Sequence, residues 1–352
     1  MVDSIYDPHM PSAARLSLAV SVSIGAALSA AAPQPNPFLG VWNISGSGQD
    51  RGFIAWLEVT ENAGQLSGMF LNTLGSPAPL GTIRIDGGEL VFRAGSAERP
   101  SGPVFRAKIE NGRMVGHHTV TQGSGRRGRG NDPNAPPPAP PTQRDVSWTG
   151  LRPPVWPNAD ANAPHAYGKP VMLFDNQSLD MWTVQFPSRP IGWRIEDGAM
   201  TNAREESNAD QRTVGNNLVS TQKFWNFRID AEYRLADGSN SGLYLRGRYE
   251  LQLLDDATAN GRPDYGHMAI YGRTPPLVKA SKPAGEWQTM EAIVAGNRVT
   301  VTLNGQRVHD NTVILGVTGG MLDNDELSPG PIMIQGDHRA VWIRKLVVTP
   351  IR

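Results

Sequence analysis

Cysteine is absent from the 352 residues, which excludes structural disulfides, thiolate metal sites and cysteine nucleophiles. Net charge is absent as well, since 33 basic residues balance 33 acidic ones. Nothing global draws the chain to nucleic acid or to an anionic membrane, and neither is expected as a partner. Long apolar runs are missing too. The most concentrated one, Leu16 to Leu28, falls short of the ~20 apolar residues that a spanning helix needs. With 38 Gly and 29 Pro, turns must be frequent and long helices few.

The N-terminus carries a different signal. Arg15 precedes "LSLAVSVSIGAAL" and "SAAAPQP" follows. A charged residue, an apolar run and a small-residue cleavage site together read as a signal peptide over residues 1–32, cut after Ala30 or Ala32. The mature chain is then expected to be periplasmic or secreted, with no integral membrane segment. Asp3 and Asp7 are unusual in such a leader, and a start at Met10 would remove both.

Residues 38–154 read as a small antiparallel β-barrel. "FIAWLEVT", "ENAGQ" and "LSGMFL" give strand, turn and strand. Asp86-Gly87 and Asn111-Gly112 each divide two alternating runs, and both dipeptides are hairpin signals because their residues tolerate positive φ. The pattern is similar to the lipocalin-like half-barrels of exported bacterial proteins. Gly123 to Pro141, rich in Gly, Pro and Arg, interrupts it as a solvated loop. His117 and His118 must point to opposite faces of a strand, so they are not a metal pair and are taken as surface residues. A Pro/Ala/Asn-rich linker over 155–170 follows.

Strand rhythm resumes over 171–352. "FWNFRIDAEYRL" alternates cleanly, and "NRVTVTLNGQRVHD" turns at Asn304-Gly305. No window has a long helical period, so an all-β chain ending in a jelly-roll sandwich is expected. "NSGLYLRGRYELQLLD" places Leu243, Leu245, Leu251 and Leu253 on one face and Tyr244, Arg246, Glu250 and Gln252 on the other. That polar face is either a wetted side of an antiparallel sheet or the floor of a polar-ligand site.

"LFDNQSLDMWT", "WRIEDGAM", "NSGLYLRGRYELQLLDD", "AIYGRTPP", "KPAGEWQTMEAIVAGNRVTVTLNG" and "GPIMIQGDH" occur in that order. As a set they resemble the 3-keto-disaccharide hydrolase domain family, formerly a domain of unknown function, over Val171 to Arg352. The resemblance implies a concanavalin-like jelly roll with a sugar site on its concave sheet face. It also implies a substrate already oxidised to a ketone at C3, supplied by an upstream sugar 3-dehydrogenase. The ketone acidifies the C2 proton, so a base can remove it, the glycosidic bond leaves by β-elimination, and water adds to the glycal. Such chemistry needs a base, help for the leaving oxygen and a polariser for the ketone.

On that resemblance, Glu250 is the expected base, because burial of a carboxylate suits proton abstraction near neutrality. His338, just past the "IMIQ" strand and next to Asp337, is the second catalytic candidate, as an acid/base or, with a carboxylate, as a metal ligand. The residues identify no cofactor, and a divalent cation is left open. Arg246, Gln252, Tyr271, Lys282 and Gln335 are expected to contact substrate, with His267 a weaker candidate. Tyr244 either stacks on a sugar ring or packs on its neighbour. Two rivals stand beside this assignment. "ELQLLD" resembles the E-x-D-x-x-E strand of retaining laminarinase-type glycosidases, with Gln252 and Asp255 replacing two of its acids. A non-catalytic carbohydrate-binding sandwich is the other.

Overall fold

The computed structural model describes residues 36–95, 100–122, 142–203, 215–257, 261–336 and 338–352. The expected signal peptide, the Gly123 to Pro141 loop and Asp337 lie outside these residues. Pro37–Arg352 forms one compact unit. Among the described residues no helix is long and apolar enough to cross a membrane.

Eight strands close into an antiparallel barrel: β1 (Gly40–Gly46), β2 (Ile54–Asn62), β3 (Gln65–Leu71), β4 (Ala78–Asp86), β5 (Glu89–Gly95), β6 (Pro100–Glu110), β7 (Arg113–Gln122) and β8 (Thr142–Leu151). Closure comes from β1 against β8, where Ile44 opposes Gly150. The result is a complete barrel, so every strand edge is paired. The Asn111-Gly112 turn forms as its sequence dictates, with φ of 51° and 75°. The preceding hairpin turns one residue later than expected, on Gly87-Gly88, since Asp86 pairs with Glu89. Inward residues Trp42, Leu57, Phe70, Phe92, Phe105, Met114 and Trp148 fill the interior, with Phe92 stacked on Phe105 at 4.9 Å.

His118 corrects the surface assignment. Adjacent strand residues do diverge, and His117 is exposed, but His118 turns inward and is buried against Phe53 and Phe105. Burial holds its imidazole below the ordinary range, so it packs there as a neutral ring.

The remaining strands build two facing sheets. The smaller contains β10 (Trp182–Val184), β13 (Leu218–Phe224), β15 (Asn240–Leu245), β16 (Tyr249–Leu254) and β20 (Gly330–Ile334), in the order β10-β13-β20-β15-β16. The larger comprises β9 (Val171–Phe174), β11 (Arg194–Glu196), β12 (Ala199–Thr201), β14 (Phe227–Leu235), β17 (Trp287–Ala295), β18 (Arg298–Leu303), β19 (Gln306–Val313) and β21 (Val341–Pro350). The alternation read in β14 is the alternation observed: Phe227, Ile229, Ala231 and Tyr233 are buried, and Arg228, Asp230, Glu232 and Arg234 are less so.

The sandwich core extends beyond the sandwich. Ile54, Trp56 and Leu71 of the barrel belong to the same buried cluster as Leu243, Leu251, Ile332 and Val348. Polar bonds reinforce the junction: Asn43 Nδ2 donates to Glu326 Oε1 at 2.8 Å, and Ser45 bonds Asn324 at 2.8 Å. The segment after the barrel is likewise docked, with Asn162 bonded to Thr300 and Asp310.

Candidate active site

The smaller sheet presents a polar outer face. On β15 and β16, Tyr244 opposes Glu250, Gly242 opposes Gln252, and Asn240 opposes Leu254. Leu243, Leu245, Leu251 and Leu253 point the other way, into the core. On β20, Met333 opposes Tyr244, and Gln335 follows two residues later with the same parity. Beyond β16 a short bridged segment adds another rung: Tyr271 N–H donates to Glu250 O at 3.0 Å, and Leu251 bridges Ile270. Met333, Tyr244, Glu250 and Tyr271 therefore form one row across the sheet. Directly opposed residues on one face of an antiparallel pair hold their Cβ atoms ~5 Å apart.

Glu250 is 3% exposed. Its carboxylate lies diagonally over Gly242, and a β-carbon on that glycine would fall on Oε1. Gln252 has one amide orientation that suits its neighbours. The nitrogen donates to Glu250 Oε1 and to Ser241 O, each at 3.1 Å, and the oxygen lies 3.2 Å from the Asn240 amide. Glu250 N–H is fixed in turn by Thr318 Oγ1 at 2.8 Å. Tyr271 is half-buried, and that burial, with the Glu250 charge adding to it, pushes its phenol up to about 12. It remains a proton donor at neutral pH. Gln335 Oε1 is buried with no protein partner, an acceptor facing the same side of the sheet.

Of the residues expected at the site, then, Glu250, Gln252, Tyr271 and Gln335 come together. His338 lies just beyond, half-buried in the turn between β20 and β21. Tyr244 shares the row but is 1% exposed, and its hydroxyl donates to Gly319 O at 2.9 Å. It packs beneath that loop and offers no ring face to a sugar.

Arg246 leaves the face altogether. The hairpin closes through a turn over Arg246, Gly247 and Arg248, with φ of 56° at Arg246 and 67° at Gly247, so strand alternation ends at Leu245. The guanidinium is fully buried under the turn before β14. It donates to Trp225 O at 2.6 Å and lies 4.1 Å over the Trp225 ring. Burial lowers it to about 10, which still leaves it cationic at neutral pH. Lys282 is exposed and donates to Trp287 O at 2.9 Å, with no contact to the Glu250 row. His267 is buried: Nε2 accepts from the Tyr233 hydroxyl at 2.6 Å and Nδ1 donates to Leu254 O at 2.8 Å. Both ring nitrogens are occupied within the fold.

Three contributors were not anticipated. Gly242 carried a signal, because a glycine inside a strand marks close approach by another group. Asn240 shares the β15 parity of Gly242 and Tyr244, so alternation could have found it, whereas Thr318 carried no signal, since it reaches the site through tertiary packing. Among the described residues no three His, Asp or Glu side chains cluster closely enough to hold a metal ion.

The sequence has relatives. The sequence profile of the 3-keto-alpha-glucoside-1,2-lyase-like domain matches residues 169–349. A 3-keto-disaccharide hydrolase of Bacteroides thetaiotaomicron is 24% identical over 164 residues, covering 39% of this chain and 57% of that relative's own length. A candidate glycosyl hydrolase of Parabacteroides distasonis, known from its crystal structure, is 24% identical with a TM-score of 0.43, covering 56% of this chain and 93% of that one. A second from the same organism is 22% identical with a TM-score of 0.40, covering 52% of this chain and 100% of that one.

Proposed function

The chain belongs to the 3-keto-alpha-glucoside-1,2-lyase-like domain family, and from that premise we propose that it cleaves glycosides already oxidised to a ketone at C3. The observation that carries the proposal is the buried Glu250 carboxylate, leaning over Gly242 with a protonated Tyr271 in the opposing position.

Glu250 takes the proton from C2, and the electron pair moves into an enolate with C3. Tyr271, a neutral phenol, donates to the ketone oxygen as its negative charge develops. The enolate then collapses, C1=C2 forms, and the C1–O bond breaks with its electron pair passing to the aglycone oxygen. That oxygen takes up a proton, which His338 at the rim supplies. Water then adds across C1=C2, its oxygen bonding to C1 and its proton passing to His338 while Glu250 returns its proton to C2, so the overall reaction is a hydrolysis. Gln335 Oε1 accepts from a sugar hydroxyl, and Gln252 holds Glu250 in place.

The laminarinase-type alternative fits less well. Asp255 lies past the end of β16, and its Oδ2 accepts from Gly238 N–H at 2.8 Å, so the second carboxylate is committed to a turn. Export through residues 1–32 and supply of substrate by a sugar 3-dehydrogenase complete the proposal. A reporter fused behind residues 1–32 should leave the cytoplasm.

Incubating purified protein with 3-keto-trehalose, 3-keto-lactose and their unoxidised parents tests the activity. Cleavage of the keto sugars alone is expected. Equal cleavage of the parents would restore the glycosidase alternative, and binding without turnover would make the domain a carbohydrate-binding module.

A further inference from the structure

We propose that the barrel is a working part of the active site: its β3–β4 loop fixes Tyr265, which in turn holds Tyr271 against Glu250, making Ser76 and Tyr265 positioning residues. This rests on the proposed assignment of Tyr271 and Glu250 to the reaction.

The contacts run in two lines from one loop, residues 72–77. In the first, the Tyr265 hydroxyl donates to Ser76 Oγ, and the Tyr265 ring meets the Tyr271 ring edge-on at 5.1 Å and 83°. Gly272, next to Tyr271, lies so close to the loop that a β-carbon there would be 3.0 Å from both Ser76 Cβ and Pro77 Cδ. In the second line, Gly320 N–H donates to Thr73 O at 2.8 Å. A β-carbon on Gly319 would fall on the Gly75 carbonyl oxygen, and one on Gly320 would strike the Tyr244 hydroxyl. Gly319-Gly320 is thus pressed between the barrel loop and Tyr244, and adjacent Thr318 holds Glu250 N–H. Both members of the Glu250–Tyr271 pair are braced from the barrel.

The physical need follows from the position of Tyr271. It stands on a short bridged segment outside the main sheet, tied by Leu251–Ile270 and Ile270–Thr274 bridges, where a sheet supplies little rigidity. A reacting group displaced by ~1 Å can lose ~10²-fold in rate, so an external brace on that segment has a catalytic consequence.

The experiment combines Ser76→Ala, Ser76→Thr, Tyr265→Phe and the Ser76→Ala/Tyr265→Phe double variant, measuring kcat and KM on 3-keto-trehalose together with amide hydrogen exchange at Tyr271. Each single removal should lower kcat by ~10-fold with KM within ~2-fold, in line with misplacement rather than lost binding. The double variant should lose no more than either single one, since both delete one shared bond. Ser76→Thr, which keeps the hydroxyl, should restore kcat. Tyr271 exchange should quicken in both single variants. Unchanged kcat in Ser76→Ala and Tyr265→Phe, with or without faster exchange, overturns the proposal. A wild-type protein inactive on every keto sugar overturns the proposed function instead, and the exchange measurement then decides whether the barrel braces Tyr271.

Discussion

The Glu250 carboxylate occupies the space over Gly242 that a side chain would otherwise fill. Cross-strand neighbours on a sheet normally share that space, so a long acid can lie down across the strand only where its neighbour has no Cβ. Gly242→Ala should therefore displace the acid while leaving most of the sheet intact. Overpacking of this kind costs about 1–3 kcal/mol, so the variant should fold with a lowered Tm. Turnover should fall by about 10²-fold or more if the acid is the base. Measuring kcat beside thermal melting separates the two effects, and a variant with wild-type kcat would remove Glu250 from the chemistry.

Direct replacement asks the question at the acid itself. Glu250→Gln keeps shape and hydrogen bonding but removes the proton acceptor, so kcat should drop by about 10²–10⁴-fold while keto-sugar binding persists. Exchange of the C2 proton with deuterated solvent should disappear in parallel. His338→Ala is the informative comparison. If it abolishes exchange while Glu250→Gln retains it, the roles are inverted.

Much of this face was legible in the sequence because strand periodicity is strict. Leucines at 243, 245, 251 and 253 had to be core, and Glu250 and Gln252 had to oppose them. The periodic reading failed where the strand stopped. Arg246 fits the alternation on paper, but its φ of 56° puts it in a turn and turns its guanidinium under Trp225. Lys282 and His267 were placed by motif and parity, but Lys282 is tied to Trp287 five residues on, and His267 to Tyr233, 34 residues away. Tyr271 stands beside Glu250, but the barrel loop behind it was invisible, since a Ser76–Tyr265 bond spans 189 residues and leaves no local pattern.

Tyr271 gives a pH test with a definite sign. Its phenol is pushed from the ordinary 10.0 up to about 12, chiefly by burial. A raised folded-state value means that the folded protein holds this proton more tightly than the unfolded chain does. The associated stability is intact below pH 10 and is lost as pH rises towards about 12. Melts from pH 8 to 12 should show wild type losing stability faster than Tyr271→Phe over that window. At neutral pH the Phe variant should retain the edge-on packing with Tyr265 but lose turnover, since the donor to the ketone oxygen is gone. Parallel melting curves for the two proteins would mean that the phenol titrates as freely as one in water.

Glu326 tests whether barrel and sandwich fold as one body. It is 4% exposed, accepting from Asn43 of the barrel at 2.8 Å and from the Tyr249 hydroxyl of the sandwich at 2.9 Å. Glu326→Ala strands two buried donors, each costing about 1–3 kcal/mol. Glu326→Gln keeps an acceptor for Asn43 and an amide nitrogen that the Tyr249 oxygen can accept from, so it should cost less. Because Ile54, Trp56 and Leu71 share the sandwich core, the loss should appear as a lower midpoint of a single transition, seen alike by barrel and sandwich probes. A second, earlier transition in Glu326→Ala would mean that the barrel melts independently. A brace that melts first could not hold Tyr271, so kcat on the keto sugar should then fall as the temperature rises through that earlier transition, ahead of global unfolding.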